Sequence, residues 1–168
     1  MVEVLSGRLH ALASAHALVR RNFSDVGPVP HASDIGALIL AIVRPHEHPR
    51  GDGTRISVEG PSIQCGDHAM NGIALVIHEL TTNAAKYGAL TVDEGRVSVS
   101  WWEEEGKLVL RWVERGGPRI EVPPSANGFG STLVQNMVCR QFRGSLDCNW
   151  QSEGLAVTIT IPVQNLST

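Results

Sequence analysis

Apolar residues that recur at steps of three and four positions predict four helices along the chain. The predicted helices span residues 2–21, 33–43, 67–87 and 133–142. Ser33 and Asp67 are the expected N-cap residues of the second and third helices, and Gly88 is expected to end the third. Each helix has one apolar and one polar face, which indicates that it packs against a core.

Alternation of apolar and polar residues predicts six strands, at 55–59, 62–65, 97–101, 108–114, 144–150 and 155–161. The first two flank Gly60 and Pro61 and are expected to form either a hairpin or two edge strands. Turns at 103–106 and 152–154 join the other strands as two hairpins, and 45–53 is expected to be a loop without regular structure. Helices interleaved with antiparallel hairpins favour an α+β fold, a two-layer α/β sandwich with helices on one face of the sheet.

The composition of the 168 residues is that of one soluble domain, because 42% are hydrophobic, 18% are charged and the formal net charge is −3. Lys and Arg are scattered along the chain, which argues against a nucleic-acid surface. No apolar run approaches the length of a membrane span and no secretory signal is visible, so we expect a cytoplasmic protein without direct membrane contact. The three widely spaced cysteines are expected to be reduced thiols.

Three polar residues lie on one face of the third predicted helix. Glu79, Asn83 and Lys86 are four and three positions apart, which places a carboxylate, an amide and an ammonium group side by side. An amide oxygen suits Mg²⁺, and an ammonium group suits phosphate. The carboxylate could act as a general base or orient a metal-bound water. The alternative is a solvent-facing stripe with an incidental pairing of Glu and Lys.

A second motif follows a predicted strand. Trp112 and Glu114 share the same strand parity, so one could supply aromatic surface and the other an acceptor for the exocyclic amine of a purine. Gly116 and Gly117 would let the backbone approach a ligand closely. The alternative is a core tryptophan on a strand that ends in a glycine turn.

A third motif precedes the fourth predicted helix. Gly128, Phe129 and Gly130 lead into Ser131 and Thr132. Glycines at a helix start direct free backbone N–H groups towards an anion, so this turn could cradle phosphates. Ser131 could be the N-cap or a phosphate ligand.

Taken together, the three motifs resemble the ATP-binding catalytic domain of the HWE subfamily of two-component sensor histidine kinases. The His of the first family motif and the Trp-x-Glu of the second are matched by His78, Trp112 and Glu114. The resemblance implies the Bergerat (histidine kinase-like ATPase) fold, with an N-terminal helix left over from a dimerisation domain. It covers almost the whole chain and rests on Leu9–His16, His78–Leu90, Trp112–Glu114, Gly116–Pro118, Gly128–Gly130, Gly154 and Pro162.

The resemblance implies ATP and Mg²⁺ as ligands and gives roles to individual residues. Asn83 matches the metal ligand, Glu79 the acid/base or water-orienting residue, and Lys86 a phosphate contact. Glu114 takes the place of the acidic residue that reads the adenine amine, whereas for His78 the resemblance gives membership of the family and no role. The nucleotide-contacting residues implied in this way are Asn83, Lys86, Tyr87, Glu114, Gly116, Gly117, Gly128, Phe129, Gly130, Ser131 and Thr132.

The sequence departs from the family pattern near its N-terminus. The phosphoacceptor histidine of these kinases lies in a His-Arg-x-x-Asn type box, and no such box is present. Residues 1–24 are therefore expected to be the end of a dimerisation-domain helix, in which His10 and His16 are structural. Residues 25–168 are expected to form the catalytic domain.

The implied activity is transfer of the ATP γ-phosphoryl group to a histidine outside this chain. The implied partners are the phosphoacceptor dimerisation domain and sensor domain of a parent kinase and a downstream response regulator. A Pro-rich segment at 119–126 is expected to serve as a short lid over the nucleotide. A homodimer through the N-terminal helix is left open.

Two alternatives compete with the kinase. One is a non-catalytic nucleotide-binding or phosphotransfer adaptor of the same fold, and the complete set of Glu79, Asn83 and Lys86 speaks against it. The other is an ATPase or a serine kinase of the same superfamily. The match at Trp112 and Glu114 disfavours it.

Overall fold

The computed structural model describes residues 33–47, 54–121 and 129–167. The predicted helix at 2–21, the dimerisation-helix segment at 1–24, Gly128 and most of the expected lid lie outside the described residues. The helices are α1 (Ile35–Val43), α2 (Asp67–Lys86) and α3 (Phe129–Gln135). The strands are β1 (Ser33–Asp34), β2 (Ile56–Glu59), β3 (Gln64–Cys65), β4 (Arg96–Glu104), β5 (Lys107–Arg115), β6 (Ser145–Gln151) and β7 (Gly154–Pro162).

Five of the strands form one sheet in the order β2-β4-β5-β7-β6. The β4-β5 and β6-β7 hairpins are confirmed, and both pair antiparallel. Strand β2 lies at one edge and pairs parallel with β4, while β3 leaves the sheet and pairs with β1. The alternative of a hairpin between the first two predicted strands is therefore wrong.

The chain separates β2 from β3 because two distant side chains hold the connection. The Trp101 ring fills the space where a Gly60 side chain would lie, and its Nε1 donates to the carbonyl oxygen of Pro61 over 2.8 Å. Asp34 accepts hydrogen bonds from Ser62 Oγ at 2.7 Å and from the backbone N–H of Ile63 at 3.2 Å. These contacts direct the segment towards β1.

One face of the sheet and the apolar faces of α1 and α2 enclose a single hydrophobic core, which confirms the predicted two-layer sandwich. Strands β4 and β5 show the predicted alternation, with every second side chain buried along most of their length. Trp112 is 0% exposed and is among the largest fully buried side chains of this core. The buried apolar residues of the sheet that belong to this core are Ile56, Val97, Val99, Trp101, Leu108, Leu110, Trp112, Val157, Ile159 and Ile161.

The helix starts differ by one residue from those predicted. Asp34, not Ser33, caps α1 and accepts from the backbone N–H of Ala37 at 3.1 Å, because Ser33 is paired in β1. Gly66 is the N-cap of α2, so Asp67 is its first helical residue and not its cap. Asp67 still places an acidic group in the first turn, where its negative charge interacts favourably with the helix dipole.

Several segments have helical geometry that the periodicity did not predict. A 3₁₀ turn at Arg44–His46 occupies the start of the expected loop, with Pro45 as its second residue. The predicted helix at 133–142 begins earlier, as α3, and continues as a π-helix at Asn136–Gln141. There the backbone N–H of Phe142 reaches back five residues to Met137, over 3.0 Å.

Short 3₁₀ turns at Ala89–Thr91 and Val163–Leu166 complete the described chain. Among the helices of the described ranges, none combines the length and the apolar character that a membrane crossing requires.

We predict that two glycines with positive φ differ sharply in their tolerance of a side chain. Gly154 (φ +151°) lies against the backbone carbonyl of Glu114, and Gly106 (φ +71°) has open space around it. Gly106→Ala should lower the free energy of unfolding by about 1–2 kcal/mol, the cost of a left-handed backbone with a side chain. Gly154→Ala should lower it further, because it adds a collision with rigid backbone. Urea unfolding followed by tryptophan fluorescence measures both, and equal losses would contradict the prediction.

Candidate active site

Glu79, Asn83 and Lys86 lie on the last two turns of α2, and the continuous helix confirms that they share one face. Glu79 and Asn83 are half-buried, whereas Lys86 is exposed. Tyr87, the C-cap residue, is 77% exposed. Much of the rest of α2 packs into the core, so the helix presents this polar face from a fixed position.

The glycine of the third motif packs directly on that face. A Cβ atom built on Gly130 would lie 2.5 Å from Glu79 Oε2 and 3.8 Å from Asn83 Nδ2. A side chain at this position would displace the Glu79 carboxylate. The first and third motifs are thus brought together in one place.

The first turn of α3 corrects one expectation. The helix begins at Phe129, so Ser131 lies within its first turn and is not the N-cap. The side chains of Ser131 and Thr132 are exposed. Gly128 lies outside the described residues, which leaves Gly130 as the described glycine of this motif.

Glu114 lies near the end of β5 and is 4% exposed. Its Oε1 accepts from Trp112 Nε1 at 3.0 Å, and its Oε2 accepts from the backbone N–H of Ala89 at 2.9 Å. Trp112 is fully buried, so the expectation that it offers aromatic surface to a ligand is wrong. Its indole packs in the core and serves as a hydrogen-bond donor to Glu114.

Three glycines lie where a side chain would collide with Glu114 or with the backbone near it. A side chain on Gly88 would collide with Glu114 Oε2, and a Cβ on Gly117 would lie 2.7 Å from Ala89 Cα. Gly116 has φ +69° and would place a Cβ 2.9 Å from the carbonyl oxygen of Glu94. Gly116 and Gly117 therefore bring the backbone after β5 against the segment after α2.

Burial raises the pKa of the Glu114 carboxyl, and the hydrogen bonds from Ala89 and Trp112 partly offset this rise. In the described ranges no Lys or Arg forms an ion pair with Glu114. Among the residues that the structure describes, N–H dipoles and not a cation therefore balance its negative charge. A carboxylate in this setting is a strong hydrogen-bond acceptor.

The two parts of the site meet at the C-terminal end of α2. The carbonyl oxygen of Asn83 accepts from the backbone N–H groups of Tyr87 at 2.8 Å and Gly88 at 3.1 Å. The residue after Gly88 supplies the N–H group that holds Glu114. His78 is half-buried one position before Glu79, on a different face of the helix.

Sequence reasoning missed the 3₁₀ turn after α2 and the role of Ala89 as a backbone donor. The local sequence predicts Gly88 as a helix stop, but it does not reveal the second role of this glycine, which is to leave space for the Glu114 carboxylate. The available signal was the number of glycines in this region, at positions 88, 95, 116 and 117.

We predict that the stability conferred by Glu114 depends on pH. Because the pKa of Glu114 is raised in the native state, the native state binds this proton more tightly than the unfolded state does. The resulting gain in the free energy of unfolding is complete below the unfolded pKa of about 4.3. It is lost as the pH rises through the native pKa. Glutamine does not titrate, so the stability of the wild type relative to Glu114→Gln should fall as pH rises from about 4.

Urea unfolding of both proteins between pH 4 and pH 8 measures this difference, and Glu103→Gln, at an exposed position of β4, is the control. In Glu114→Gln the amide N–H groups would point at one of the two donors, Ala89 or Trp112. We therefore also expect the free energy of unfolding of this variant to be about 1–3 kcal/mol lower than that of the wild type at low pH. A wild-type advantage that grows with pH would refute the prediction.

Comparison with known proteins supplies the evolutionary context of this site. No family model matches the chain. The chain is 37% identical over 161 residues to blue-light-activated histidine kinase 1 of Erythrobacter litoralis, covering 95% of this chain and 43% of that protein. It is 36% identical over 160 residues to the blue-light-activated histidine kinase of Rhizobium johnstonii, covering 92% and 42%. The chain thus spans less than half the length of these relatives.

Solved structures share the fold. The histidine kinase domain from Erythrobacter litoralis EL346 blue-light-activated histidine kinase matches with a TM-score of 0.69 and 20% identity, covering 94% of this chain and 76% of that one. The histidine kinase domain of the E. coli osmosensor EnvZ matches with a TM-score of 0.55 and 21% identity, covering 82% and 92%. With the sequence relatives and the motifs at His78, Trp112 and Glu114, these matches identify the chain as a member of the HWE-type histidine kinase catalytic domains, which have the Bergerat fold.

Proposed function

We propose that the chain binds Mg²⁺-ATP at the C-terminal end of α2 and transfers the γ-phosphoryl group to a histidine outside this chain. The observation that carries the proposal is the convergence of two unlike groups of acceptors there. Glu79 and Asn83 face Gly130 on one side, and the buried Glu114 carboxylate lies beside Gly88 on the other. One group suits a metal-bound phosphate and the other suits a base.

The base would be read by Glu114. An ionised carboxylate has about four acceptor positions, and Ala89 and Trp112 use two of them. The remaining positions can accept hydrogen bonds from the exocyclic amine of adenine. Guanine presents a carbonyl oxygen at the equivalent ring position, which would face the carboxylate as a second acceptor, so we expect ATP to be preferred over GTP.

The donor set beside Gly130 fits a hard cation shared with phosphate oxygens. In residues 33–47, 54–121 and 129–167 no three His, Cys, Asp or Glu side chains form a metal-binding group. Mg²⁺ commonly uses one or two protein ligands and completes its coordination with water and phosphate oxygens. Asn83 would hold the ion and Lys86 would contact the phosphates. The bound ion would neutralise charge on the transferred group.

In the transfer, a neutral imidazole nitrogen of the acceptor histidine attacks the γ-phosphorus while the bond to the ADP oxygen breaks. The imidazole ring of the new phosphohistidine carries a positive charge until its other nitrogen loses a proton. Glu79 is half-buried beside the phosphate site and would accept this proton or orient the water that does so. Most of the rate acceleration would come from positioning and from charge neutralisation.

The acceptor domain, a sensor domain and a response regulator belong to this proposal as partners. The relatives named above are more than twice as long as the matched region, which leaves room for further domains in a parent protein. By itself the chain should bind nucleotide and show little phosphorylation.

We predict that Asn83→Ala abolishes Mg²⁺-dependent ATP binding, because it removes the proposed oxygen ligand of the ion. Isothermal titration with ATP, with and without Mg²⁺, measures the effect, and we expect affinity in Mg²⁺ to fall by roughly tenfold or more. Asn71→Ala is the matched control, since Asn71 is an exposed asparagine earlier on the same helix. Unchanged Mg²⁺-dependent affinity in Asn83→Ala would remove Asn83 from the metal site.

We predict that the chain phosphorylates a separately expressed dimerisation domain that carries the acceptor histidine. With radiolabelled ATP, the wild type should give phosphate that is stable in base and labile in acid, as expected for phosphohistidine. Glu79→Gln should reduce the rate of transfer roughly a hundredfold or more, the usual size of general-base catalysis, while ATP binding is retained. Binding without transfer would support the adaptor instead, and acid-stable phosphate would support a serine kinase.

A further inference from the structure

We propose that Arg55 is a positioning residue for the Glu114 carboxylate, acting through the turn at Val92–Gly95 and the backbone N–H of Ala89. The proposal rests on the proposed function, because it gives Arg55 an effect on base recognition. Arg55 lies just before β2, far in sequence from every motif described above. A series of contacts leads from its guanidinium group to the carboxylate.

The guanidinium group of Arg55 is bound to backbone carbonyl groups. Arg55 is 8% exposed, its Nε donates to the carbonyl oxygen of Gly95 at 3.3 Å, and its Nη2 donates to that of Val92. The backbone carbonyl of Arg55 in turn accepts from the N–H of Val97 at 2.9 Å. Side chain and backbone of one residue thus fix both ends of the segment that leads into β4.

Within the described ranges Arg55 forms no ion pair with a carboxylate. A buried charge without such a partner is costly unless its hydrogen bonds are well made. The carbonyl groups of Val92 and Gly95 are therefore held firmly towards the guanidinium, because either one released would leave a buried N–H donor unpaired.

The turn transmits this constraint to Ala89. The backbone N–H of Gly95 donates to the carbonyl oxygen of Val92 at 3.3 Å, which closes the turn. Gly95 packs so closely on the carbonyl group of Ala89 that any side chain there would collide with it. The Ala89 carbonyl belongs to the peptide that links Ala89 to Leu90, whereas the Ala89 N–H belongs to the peptide that links Gly88 to Ala89, and the two peptides meet at Ala89 Cα. A Cβ built on Gly95 would also lie 3.1 Å from that Cα. The turn therefore restrains the position of Ala89, and with it the direction of its N–H group.

Ala89 makes the last contact between the turn and the Glu114 carboxylate. Its N–H group donates to Glu114 Oε2 at 2.9 Å, and its Cα lies beneath Gly117. A small displacement of Ala89 would weaken this charge-assisted hydrogen bond and free the carboxylate to turn about the remaining bond from Trp112. Loss of that orientation would reduce the difference in binding free energy between a base that presents an amine to the carboxylate and a base that presents a carbonyl group.

The chain offers a matched control. Arg96 also donates to the same turn, to the carbonyl oxygens of Asp93 at 2.8 Å and Gly95 at 3.0 Å, but its side chain is exposed. Water can replace its hydrogen bonds at little cost. Arg55 and Arg96 thus differ in burial while sharing the turn they contact.

The test compares Arg55→Met with Arg96→Met in two measurements on the folded protein. The first is amide hydrogen exchange, which should be about tenfold faster at Ala89 in Arg55→Met than in the wild type, relative to core amides of β5. The second is the ratio of the GTP and ATP dissociation constants, which should fall by roughly threefold or more. Arg96→Met should leave both close to wild-type values.

Arg55→Lys serves as the conservative variant and carries the test if Arg55→Met does not fold. Its single ammonium group can replace only part of the guanidinium contact, so both measurements should lie between those of the wild type and Arg55→Met. Exchange that accelerates equally at all amides, or a normal ratio beside faster exchange at Ala89, would overturn the proposal. A wild type that does not distinguish ATP from GTP would instead contradict the proposed function, and the exchange measurement would still decide whether Arg55 holds Ala89.

Discussion

A buried carboxylate at the end of β5 is the constraint on which the rest of the site depends. Removing a negative charge from water costs several kcal/mol unless hydrogen bonds replace the lost hydration. Glu114 obtains two, from the indole of Trp112 on its own strand and from the backbone of Ala89 after α2. The bond from Ala89 attaches the segment after α2 to the sheet, while the bond from Trp112 lies within β5. The proposed recognition of a base and the packing of the two layers are therefore parts of one arrangement.

This arrangement explains why glycine occupies several positions around the site, which turn formation alone does not. Gly88 and Gly117 both lie at points where backbone must come within contact distance of Glu114 or Ala89. Gly130 plays the corresponding part for Glu79 on the other side of α2. Each glycine costs conformational entropy on folding, and each returns a close approach that no other residue allows. The stability lost at these positions allows the close contacts that hold the Glu79 and Glu114 carboxylates beside backbone.

Local patterns predicted the parts of the molecule that local interactions determine. The face shared by Glu79, Asn83 and Lys86 follows from helical geometry, and the common side of Trp112 and Glu114 follows from strand parity. The separation of β3 from β2 could not be predicted in this way, because it depends on Trp101 and Asp34, which are distant from the turn they hold. The burial of Trp112, the donor role of Ala89 and the contacts of Arg55 are also long-range, and no spacing in the sequence encodes them.

The last turn of α2 connects the two parts of the candidate site, the polar face beside Gly130 and the Glu114 carboxylate. The side chain of Asn83 faces Gly130, while its backbone carbonyl accepts the N–H groups of Tyr87 and Gly88, the residues that lead to Ala89. The distance between the proposed metal-binding side chain and the proposed base-reading carboxylate is therefore set by one turn of helix anchored in the core. Under the proposed function, a rigid separation of this kind would favour a nucleotide whose base and phosphates fit at the same time. A nucleotide bound at one end alone would lack the alignment of its γ-phosphoryl group, so selectivity for the base and efficiency of transfer would depend on the same short segment of backbone.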